Sequence, residues 1–284
     1  MIDPRNLGER LERTESLDRL AEPAHDALTR VLPAGPIKNV LHGVWLGHPL
    51  HPMLTDLPIG FWTSAVVLDV LGGRRARSAA DTLVGLGVLA ALPAAAAGAA
   101  DWSELDTPER RSGIVHAMAN LTATGLFGLS FLARRRGHRA AGKALGFAGV
   151  GAASFGGFLG GHLTFRRGAG VNQAAAVSTD TGWADITIDG TITSDRPTLA
   201  HLDDTPLAAA EIDGAPIALF DECSHQGGPL HEGDVVDGCL RCPWHASRFR
   251  PDGTVAQGPA TSPQPAYELR GVGDHPQARR RPLP

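Results

Sequence analysis

Four long stretches of the chain carry almost no charged residues. Each has about the 20 residues that an α-helix needs to cross roughly 30 Å of hydrocarbon. A buried soluble bundle rich in alanine and glycine is the alternative, but soluble helices normally show a charged face along their length and these do not. The pattern therefore predicts four transmembrane helices within residues 41–167, over about 53–72, 80–100, 113–133 and 144–165.

The segments outside these helices are more polar. Residues 1–40 mix acidic, basic and leucine positions in a helical pattern without the apolar core of a signal peptide, which predicts an amphipathic leader outside the bilayer. Residues 168–180 form a linker rich in Gly, Ala, Ser and Thr. Residues 181–275 contain strand-like runs, and residues 276–284 are expected to be a disordered tail.

Asp-Gly pairs, which are strong turn signals, separate the strand-like runs of the C-terminal half. The clearest runs cover residues 184–188, 216–220, 235–240 and 267–272. Short strands and turns over about a hundred residues indicate a small antiparallel β-sandwich. The predicted fold class is therefore α+β with two domains, an N-terminal all-α four-helix membrane bundle and a C-terminal all-β domain.

Composition excludes two classes of function. The 284 residues include 26 Lys plus Arg and 30 Asp plus Glu, and this net charge of -4 argues against a basic nucleic-acid-binding protein. The three cysteines are Cys223, Cys239 and Cys242, and their clustering argues against a disulfide-stapled secreted domain.

Two of these cysteines are paired with histidines. A C-S-H motif begins at Cys223 and ends at His225, and a C-P-W-H motif begins at Cys242 and ends at His245. Two thiolates and two imidazoles can bind one metal centre, and a single zinc ion uses the same ligand types. The spacing of the first pair is tighter than in most zinc sites. The flanking residues also supply backbone amides, which can donate hydrogen bonds to the sulfur atoms of an iron–sulfur cluster. Residues 258–260 are expected to fold over the site as a lid.

The C-terminal half, from about residue 183 to residue 272, resembles a Rieske-type [2Fe–2S] ferredoxin domain. The signature consists of C-S-H-Q-G-G-P-L from Cys223 and C-P-W-H-A-S-R-F from Cys242. The resemblance implies that Cys223 and Cys242 bind one iron of a [2Fe–2S] cluster and that His225 and His245 bind the other. Imidazoles in place of two thiolates remove negative charge and raise the reduction potential relative to all-cysteine ferredoxins.

The sequence departs from the respiratory Rieske pattern. Gly228 and Trp244 stand where the proteins of cytochrome bc complexes have two cysteines joined by a disulfide, and Phe249 replaces a tyrosine that donates to a cysteine sulfur. Fewer hydrogen bonds to sulfur favour the oxidised state, so we expect a potential below roughly 0 mV and down to about −150 mV. Cys239 is expected to be a strand residue rather than a ligand, and Ala246 replaces a more usual glycine without an expected consequence.

Residues 41–165 are similar to an uncharacterised bacterial membrane domain that is often joined to Rieske-type ferredoxins. The similarity rests on the H-P-L-H-P run from His48 to Pro52 and on the D-L-P-I-G run from Asp56 to Gly60. It implies a multi-pass protein of the bacterial cell membrane, in contact with the lipid bilayer, and it names no activity.

Four alternating helices would bring His48, His51, His116 and His162 to one face of the membrane. Ionisable residues inside a membrane are costly and therefore suggest a function. Three interpretations remain open. These side chains pair and reach water at the interface, or they form a quinone or proton-coupled redox site, or a pair such as His116 and His162 binds a b-type haem.

The distribution of Lys and Arg predicts the orientation of the helices. Eight basic residues follow the first and third helices, against five on the other face, which places the first set in the cytoplasm and the C-terminal domain outside it. Because iron–sulfur clusters are normally assembled in the cytoplasm, this topology requires export of a folded domain. Arg135-Arg136, ahead of the fourth helix, is a candidate twin-arginine signal.

These features predict a membrane-bound electron-transfer protein that exchanges single electrons with a redox partner protein or a quinone. Two alternatives stand beside it: a membrane-anchored Rieske ferredoxin that serves a soluble oxygenase, and a redox or iron sensor. A stand-alone Rieske oxygenase is not expected, because its mononuclear iron needs a 2-His-1-carboxylate site on a large further domain and 39 residues follow His245.

Overall fold

A computed structural model describes residues 6–177 and 181–282 and divides the chain into two compact units. The first unit joins residues 1–32 with residues 50–169, and the second joins residues 33–49 with residues 170–284. The segment 33–49, which comes before the first apolar helix, therefore belongs with the C-terminal domain. The sequence pattern assigned it to the leader and the membrane domain.

Seven α-helices occur in the described part of the chain, and α3 belongs to the second unit. A π-helical turn, His162–Arg166, continues the last of them. Four helices, α4 to α7, are long and apolar enough to cross a membrane. The helices are α1 (Leu7–Glu12), α2 (Asp18–Val31), α3 (Pro36–His42), α4 (Leu50–Leu71), α5 (Arg77–Trp102), α6 (Thr107–Arg135) and α7 (Arg139–Gly161).

Most apolar helices begin several residues before the predicted stretches. The additional turns are polar, as in α6, where Asp106 is the N-cap and Pro108 and Glu109 lie in the first turn. Proline suits this turn because it has no backbone N–H, and an N–H at this position would have no intrahelical partner. Hydropathy alone does not detect such turns, so the predicted helices began too late.

Aromatic rings and glycines lie at the centre of the bundle. Trp62 of α4 stacks on Phe127 of α6, with ring centroids 4.4 Å apart. A Cβ on Gly149 of α7 would come within 2.7 Å of the Phe127 ring. The missing side chain therefore allows α7 to pack closely against α6.

A buried ionic network joins the four long helices at one end of the bundle. Arg134 of α6 is fully buried and bonds both carboxylate oxygens of Asp69 of α4. The same guanidinium lies 3.2 Å from Asp81 of α5, and Arg139 of α7 binds Asp81 at 3.0 Å. Because these charges are paired, otherwise apolar helices accommodate them.

The N-terminal leader packs against the bundle through charged residues. Glu12 of α1 lies 2.7 Å from His162 Nε2 and accepts hydrogen bonds from Arg167. Arg111 of α6 binds Asp18 of α2 through two hydrogen bonds of 2.7 Å. Although burial raises it, the pKa of the Glu12 carboxyl stays below its usual value because Arg167 and His162 hydrogen-bond to it.

The strands described in the second unit form two antiparallel sheets. The larger has seven strands in the order β1-β11-β10-β5-β4-β3-β2, and the smaller has four in the order β6-β7-β8-β9. The strands are β1 (Ala184–Asp185), β2 (Thr187–Ile188), β3 (Thr198–Leu202), β4 (Thr205–Ile212), β5 (Ala215–Phe220), β6 (Asp234–Val236), β7 (Cys239–Arg241), β8 (Arg248–Phe249), β9 (Val255–Gln257), β10 (Ala266–Arg270) and β11 (Gln277–Arg280).

The predicted run at residues 235–240 is a hairpin rather than one strand. Val236 of β6 pairs with Cys239 of β7 across Asp237 and Gly238, which both have positive φ angles. Two successive residues with positive φ match the twist of a two-residue hairpin. The Asp-Gly pair therefore forms a turn that divides the apolar run into two strands.

The end of the chain differs from its prediction as well. Residues 277–280, expected to lie in a disordered tail, form β11, which pairs with β10 and β1. Ala278 and Arg280 of this strand are buried, and Gln277 and Arg279 are partly exposed. This alternation is short and includes an arginine, so composition alone did not indicate a strand.

Candidate metal centre

The two cysteine–histidine loops close in the same way. The Cys223 amide donates to the Gly228 carbonyl at 2.9 Å, and the Cys242 amide donates to the Ser247 carbonyl at 2.9 Å. The first loop follows β5, and the second connects β7 with β8. Each sheet therefore contributes one cysteine and one histidine.

The matching turn positions in the two loops are Gly227 and Ala246. Their φ angles are 76° and 57°, in the left-handed region that favours glycine. An alanine in this region costs on the order of 1 kcal/mol relative to glycine. The alanine, which was expected to have no consequence, therefore strains the second loop, and its amide donates to the Cys242 carbonyl at 3.1 Å.

The loops bring the four predicted ligand side chains together in pairs. Cys223 and Cys242 are buried free thiols that hydrogen-bond to each other. The rings of His225 and His245 lie edge to face with centroids 5.0 Å apart. The site thus presents two sulfur atoms beside two imidazoles.

Local electrostatics favours the protonation states that bind metals. The hydrogen bond from the Cys223 thiol lowers the pKa of Cys242 to about 7, helped by the amides of Trp244 and His245 and opposed by burial. The same hydrogen bond and burial raise the pKa of Cys223. Burial, with smaller contributions from the charges of His245 and His42, lowers the pKa of His225 to about 3. His225 is therefore neutral at neutral pH, and Cys242 ionises more readily than Cys223.

The donor set fits a [2Fe–2S] cluster of the Rieske type. His225 Nδ1 is buried and has no hydrogen-bond partner among the described residues. A buried ring nitrogen without a partner costs free energy, and an iron atom would remove that cost. Two thiolates and two imidazoles in separate pairs match the ligands of such a cluster.

Backbone groups fit the site closely as well. The amides of His225 and Gln226 point to the Cys223 sulfur, and those of Trp244 and His245 point to the Cys242 sulfur. A Cβ on Gly228 would come within 2.9 Å of the Cys242 sulfur. Glycine is therefore needed at this position, where respiratory Rieske proteins are expected to have a cysteine.

The lid predicted at residues 258–260 bonds the second loop, and Gln264, which follows it, bonds the first. The Ala260 amide donates to the Ser247 hydroxyl at 3.0 Å. The fully buried Gln264 accepts from the Ser224 amide at 2.9 Å and donates to the carbonyls of Phe220 and Glu222 at 2.7 Å. Sequence reasoning missed Gln264, because a lone glutamine in a proline-rich segment carries no motif.

A second supporting pair missed by the sequence analysis is Asp221 and His231. Asp221 lies just before the first loop and accepts from the His231 amide at 2.8 Å, while its other oxygen lies 2.7 Å from His231 Nδ1. The Leu230 amide also donates to the Asp221 carbonyl at 2.8 Å. These bonds fix both ends of the first loop.

The remaining predicted positions lie near the two loops. Phe249 is fully buried in the core cluster that contains Cys223 and Cys242. Trp244 is 54% exposed. Cys239 lies in β7, and burial raises the pKa of its thiol, so this group stays protonated at neutral pH.

The structure brings two of the four membrane histidines together. The rings of His51 in α4 and His116 in α6 lie 6.3 Å apart, and their Nδ1 atoms are 2.8 Å and 2.7 Å from the carbonyls of Ala94 and Gly156. The buried His162 is bound instead to Glu12. His48 belongs to the second unit, where it is exposed, with Nδ1 3.1 Å from the Pro49 carbonyl.

Two family models match successive parts of the chain. Residues 47–173 match the family described as "Predicted membrane protein (DUF2231)", and residues 182–268 match the family described as "Rieske [2Fe-2S] domain". These matches confirm both resemblances inferred from the sequence.

Three curated relatives match parts of the chain. The chloroplastic chlorophyllide a oxygenase of Chlamydomonas reinhardtii is 44% identical over 48 residues, which are 17% of this chain and 7% of that protein. The anthranilate 1,2-dioxygenase ferredoxin subunit of Burkholderia cepacia is 35% identical over 81 residues, 28% of this chain and 75% of that protein. The cytochrome b6-f complex iron-sulfur subunit 1 of Synechocystis sp. is 38% identical over 60 residues, 20% of this chain and 32% of that protein. The chain therefore spans most of the ferredoxin subunit and only small parts of the other two.

Proposed function

Because the chain belongs to the Rieske [2Fe–2S] family through residues 182–268 and joins this domain to one of the DUF2231 family, we propose that it is a membrane-bound carrier of single electrons. The cofactor is a [2Fe–2S] cluster, which supplies a one-electron couple when bound. The carrier takes an electron from one redox partner, a protein or a quinone, and passes it to another. Apolar helices α4 to α7 keep it in the bilayer.

The pairing of Cys223, His225, Cys242 and His245 carries this proposal. Cys223 and Cys242 hold one iron, and His225 and His245 hold the other. The buried Nδ1 of His225 supports this assignment, because it has no hydrogen-bond partner among the described residues. The loop amides stabilise negative charge on the cysteine sulfurs.

Substitution of either histidine tests the assignment. In full-length protein purified anaerobically from membranes, His225→Ala and His245→Ala should abolish the visible absorption and the electron-paramagnetic-resonance signal of the Rieske cluster. Cys239→Ser is the matched control, since Cys239 is a buried cysteine outside the ligand set, and it should retain both signals. Stoichiometric zinc without iron or acid-labile sulfide in the unsubstituted protein would overturn the assignment.

A membrane-anchored ferredoxin that delivers electrons to a soluble oxygenase is the second candidate. The similarity to the anthranilate dioxygenase ferredoxin subunit, 75% of which this chain covers, favours it. In this case the helices are an anchor only, and the purified protein contains iron and sulfide without any other redox group. The third candidate function is a non-catalytic redox or iron sensor that uses the same cluster.

A haem or quinone site in the membrane domain is the more specific form of the first candidate. His51 and His116 support it, because hydrogen bonds from Nδ1 to carbonyls would leave Nε2 of each ring as an acceptor or a ligand. A haem would give an α-band in the reduced-minus-oxidised spectrum of the purified protein, and His116→Ala would remove it. Without an α-band, oxidation of a reduced quinol by the unsubstituted protein but not by His116→Ala would indicate a quinone site.

A further inference from the structure

Residues 36–46, named here the N-terminal cap, pack against the lid of the cluster site within the second unit. The cap consists of α3 and the 3-10 turn Val44–Leu46. Asn39 Oδ1 accepts a hydrogen bond from the Gly258 amide at 3.0 Å. A Cβ on Gly258 would come within 3.2 Å of Val44 Cγ2 and 3.3 Å of His42 Cδ2, so a methyl group there would press on the cap.

The helix of this cap has a buried and an exposed side. His42 is 2% exposed and lies near enough to His225 for its charge to contribute to the lowered pKa of that ligand. Ile37 and Val40 on the same helix are 72% and 53% exposed. The buried side of α3 is therefore the side that faces the lid.

Contacts of the lid extend this packing to both cysteine–histidine loops. Two residues beyond Gly258, the Ala260 amide binds the hydroxyl of Ser247 in the second loop. Further along, Gln264 binds the Ser224 amide in the first loop. A displacement of the cap from Gly258 would therefore loosen a segment that both loops share.

The other side of the site is open. Pro243 and Trp244, next to His245, are exposed, and a cleft of about 260 Å³ lies beside them, lined in part by Arg196, Arg241 and Ala246. The N-terminal cap therefore contacts the lid at Gly258, and Pro243 and Trp244 beside His245 remain accessible to a partner.

We propose that the N-terminal cap is a working part of the cluster site: Asn39 and His42 hold the lid closed, exclude water from the site and lower the reduction potential of the cluster. This inference rests on the proposed cluster and adds residues from outside the Rieske domain match at 182–268. Asn39 acts through Gly258 and is a positioning residue. Because α4 begins four residues after the end of the cap at Leu46, the cap also links the lid to the first apolar helix along the chain.

The direction of the effect follows from charge. With two imidazole ligands the oxidised cluster is neutral, and the reduced cluster carries one negative charge. Burial away from water penalises the charged form, so a dry environment lowers the potential. Opening the cap should therefore admit water and shift the potential upward.

Two substitutions open the same contact from opposite sides. Asn39→Ala removes the acceptor for the Gly258 amide, and Gly258→Ala places a methyl group against Val44 and His42. Ile37→Ala is the matched control, because Ile37 lies on the exposed side of the same helix. Midpoint potentials are measured by redox titration of full-length protein, followed by electron paramagnetic resonance, with iron and sulfide content determined on the same samples.

We expect an upward shift of the midpoint for Asn39→Ala and Gly258→Ala and none for Ile37→Ala, each with full cluster content. Unchanged midpoints in both variants would overturn the role of the cap and leave the cluster assignment intact. If neither variant assembles a cluster, hydrogen exchange of the unsubstituted protein decides. Strong protection of the Gly258 amide supports the cap, and exchange at the rate of an exposed amide refutes it.

Discussion

Phe249 illustrates how a single residue affects a redox site without binding the metal. It is fully buried in the core cluster shared by Cys223 and Cys242. A phenyl ring offers no hydrogen bond to a sulfur, so the electron-rich reduced state is less stabilised than it would be beside a tyrosine. The low potential expected from the sequence depends in part on this residue.

Phe249→Tyr should raise the midpoint potential. One hydrogen bond contributes on the order of 1 kcal/mol, which corresponds to about 40 mV for a one-electron couple. Redox titration of protein with full cluster content measures the shift, and Phe249→Leu, which adds no donor, is the control. An unchanged potential in Phe249→Tyr would mean that position 249 does not face the cluster.

Gln264 is the second residue that determines the site from outside the ligand set. Its side chain makes one bond to an amide of the first loop and two to carbonyls, and it is fully buried. Gln264→Leu leaves the Ser224 amide and the carbonyls of Phe220 and Glu222 without these partners, at a cost of about 1–3 kcal/mol for each of the two buried groups, the Ser224 amide and the Phe220 carbonyl. We expect lower iron occupancy and a lower Tm for the domain. Gln173→Leu, at an exposed position, should change neither, and full occupancy with an unchanged Tm in Gln264→Leu would contradict this role.

At the scale of elements, the four apolar helices depend on one ionic network. Arg134 of α6 bonds Asp69 of α4 and Asp81 of α5, and Arg139 of α7 bonds Asp81. The network lies where the helices begin or end, so the bundle buries its charges in pairs rather than singly.

Asp69→Asn should destabilise the helical unit by about 3–5 kcal/mol, because it leaves part of the Arg134 charge buried without its partner. Thermal unfolding in detergent measures the loss. Asp56→Asn is the control in the same helix, since Asp56 is exposed, and it should have little effect. Combining Asp69→Asn with Arg134→Met should restore much of the stability, and a double variant less stable than Asp69→Asn would argue against the pairing.

At the scale of the whole molecule, the order of segments constrains the topology. The second unit takes residues 33–49 before the four apolar helices and residues 170–284 after them. If each helix spans the bilayer once, the even number of spans returns the chain to the face from which it entered. Both segments of the second unit then lie on one side of the membrane.

That side is expected to be outside the cytoplasm. The connectors after α4 and α6 contain the larger number of basic residues, and such connectors favour the cytoplasm irrespective of nearby acidic partners. A protease added to intact spheroplasts should therefore cleave the C-terminal domain. Survival of this domain until lysis would place it in the cytoplasm and favour the ferredoxin that serves a soluble oxygenase.

The sequence by itself determined the features that short segments encode. Apolar length predicted the four helices, Asp-Gly pairs predicted the turn at Asp237, and two short motifs predicted Cys223, His225, Cys242 and His245 as ligands. In each case the signal lies within a few residues of the feature, so periodicity, turn chemistry and spacing are sufficient.

Only the tertiary structure decided which distant segments meet. It joined His51 with His116 and His162 with Glu12, and it placed Gln264 under the first ligand loop. It also showed that Asn39, which the sequence pattern assigned to the leader, contacts the lid. The contact is a hydrogen bond to Gly258, more than two hundred positions away along the chain. Such contacts depend on how the units pack and not on local pattern, because a single buried asparagine, glutamine or histidine leaves no periodic trace in the sequence.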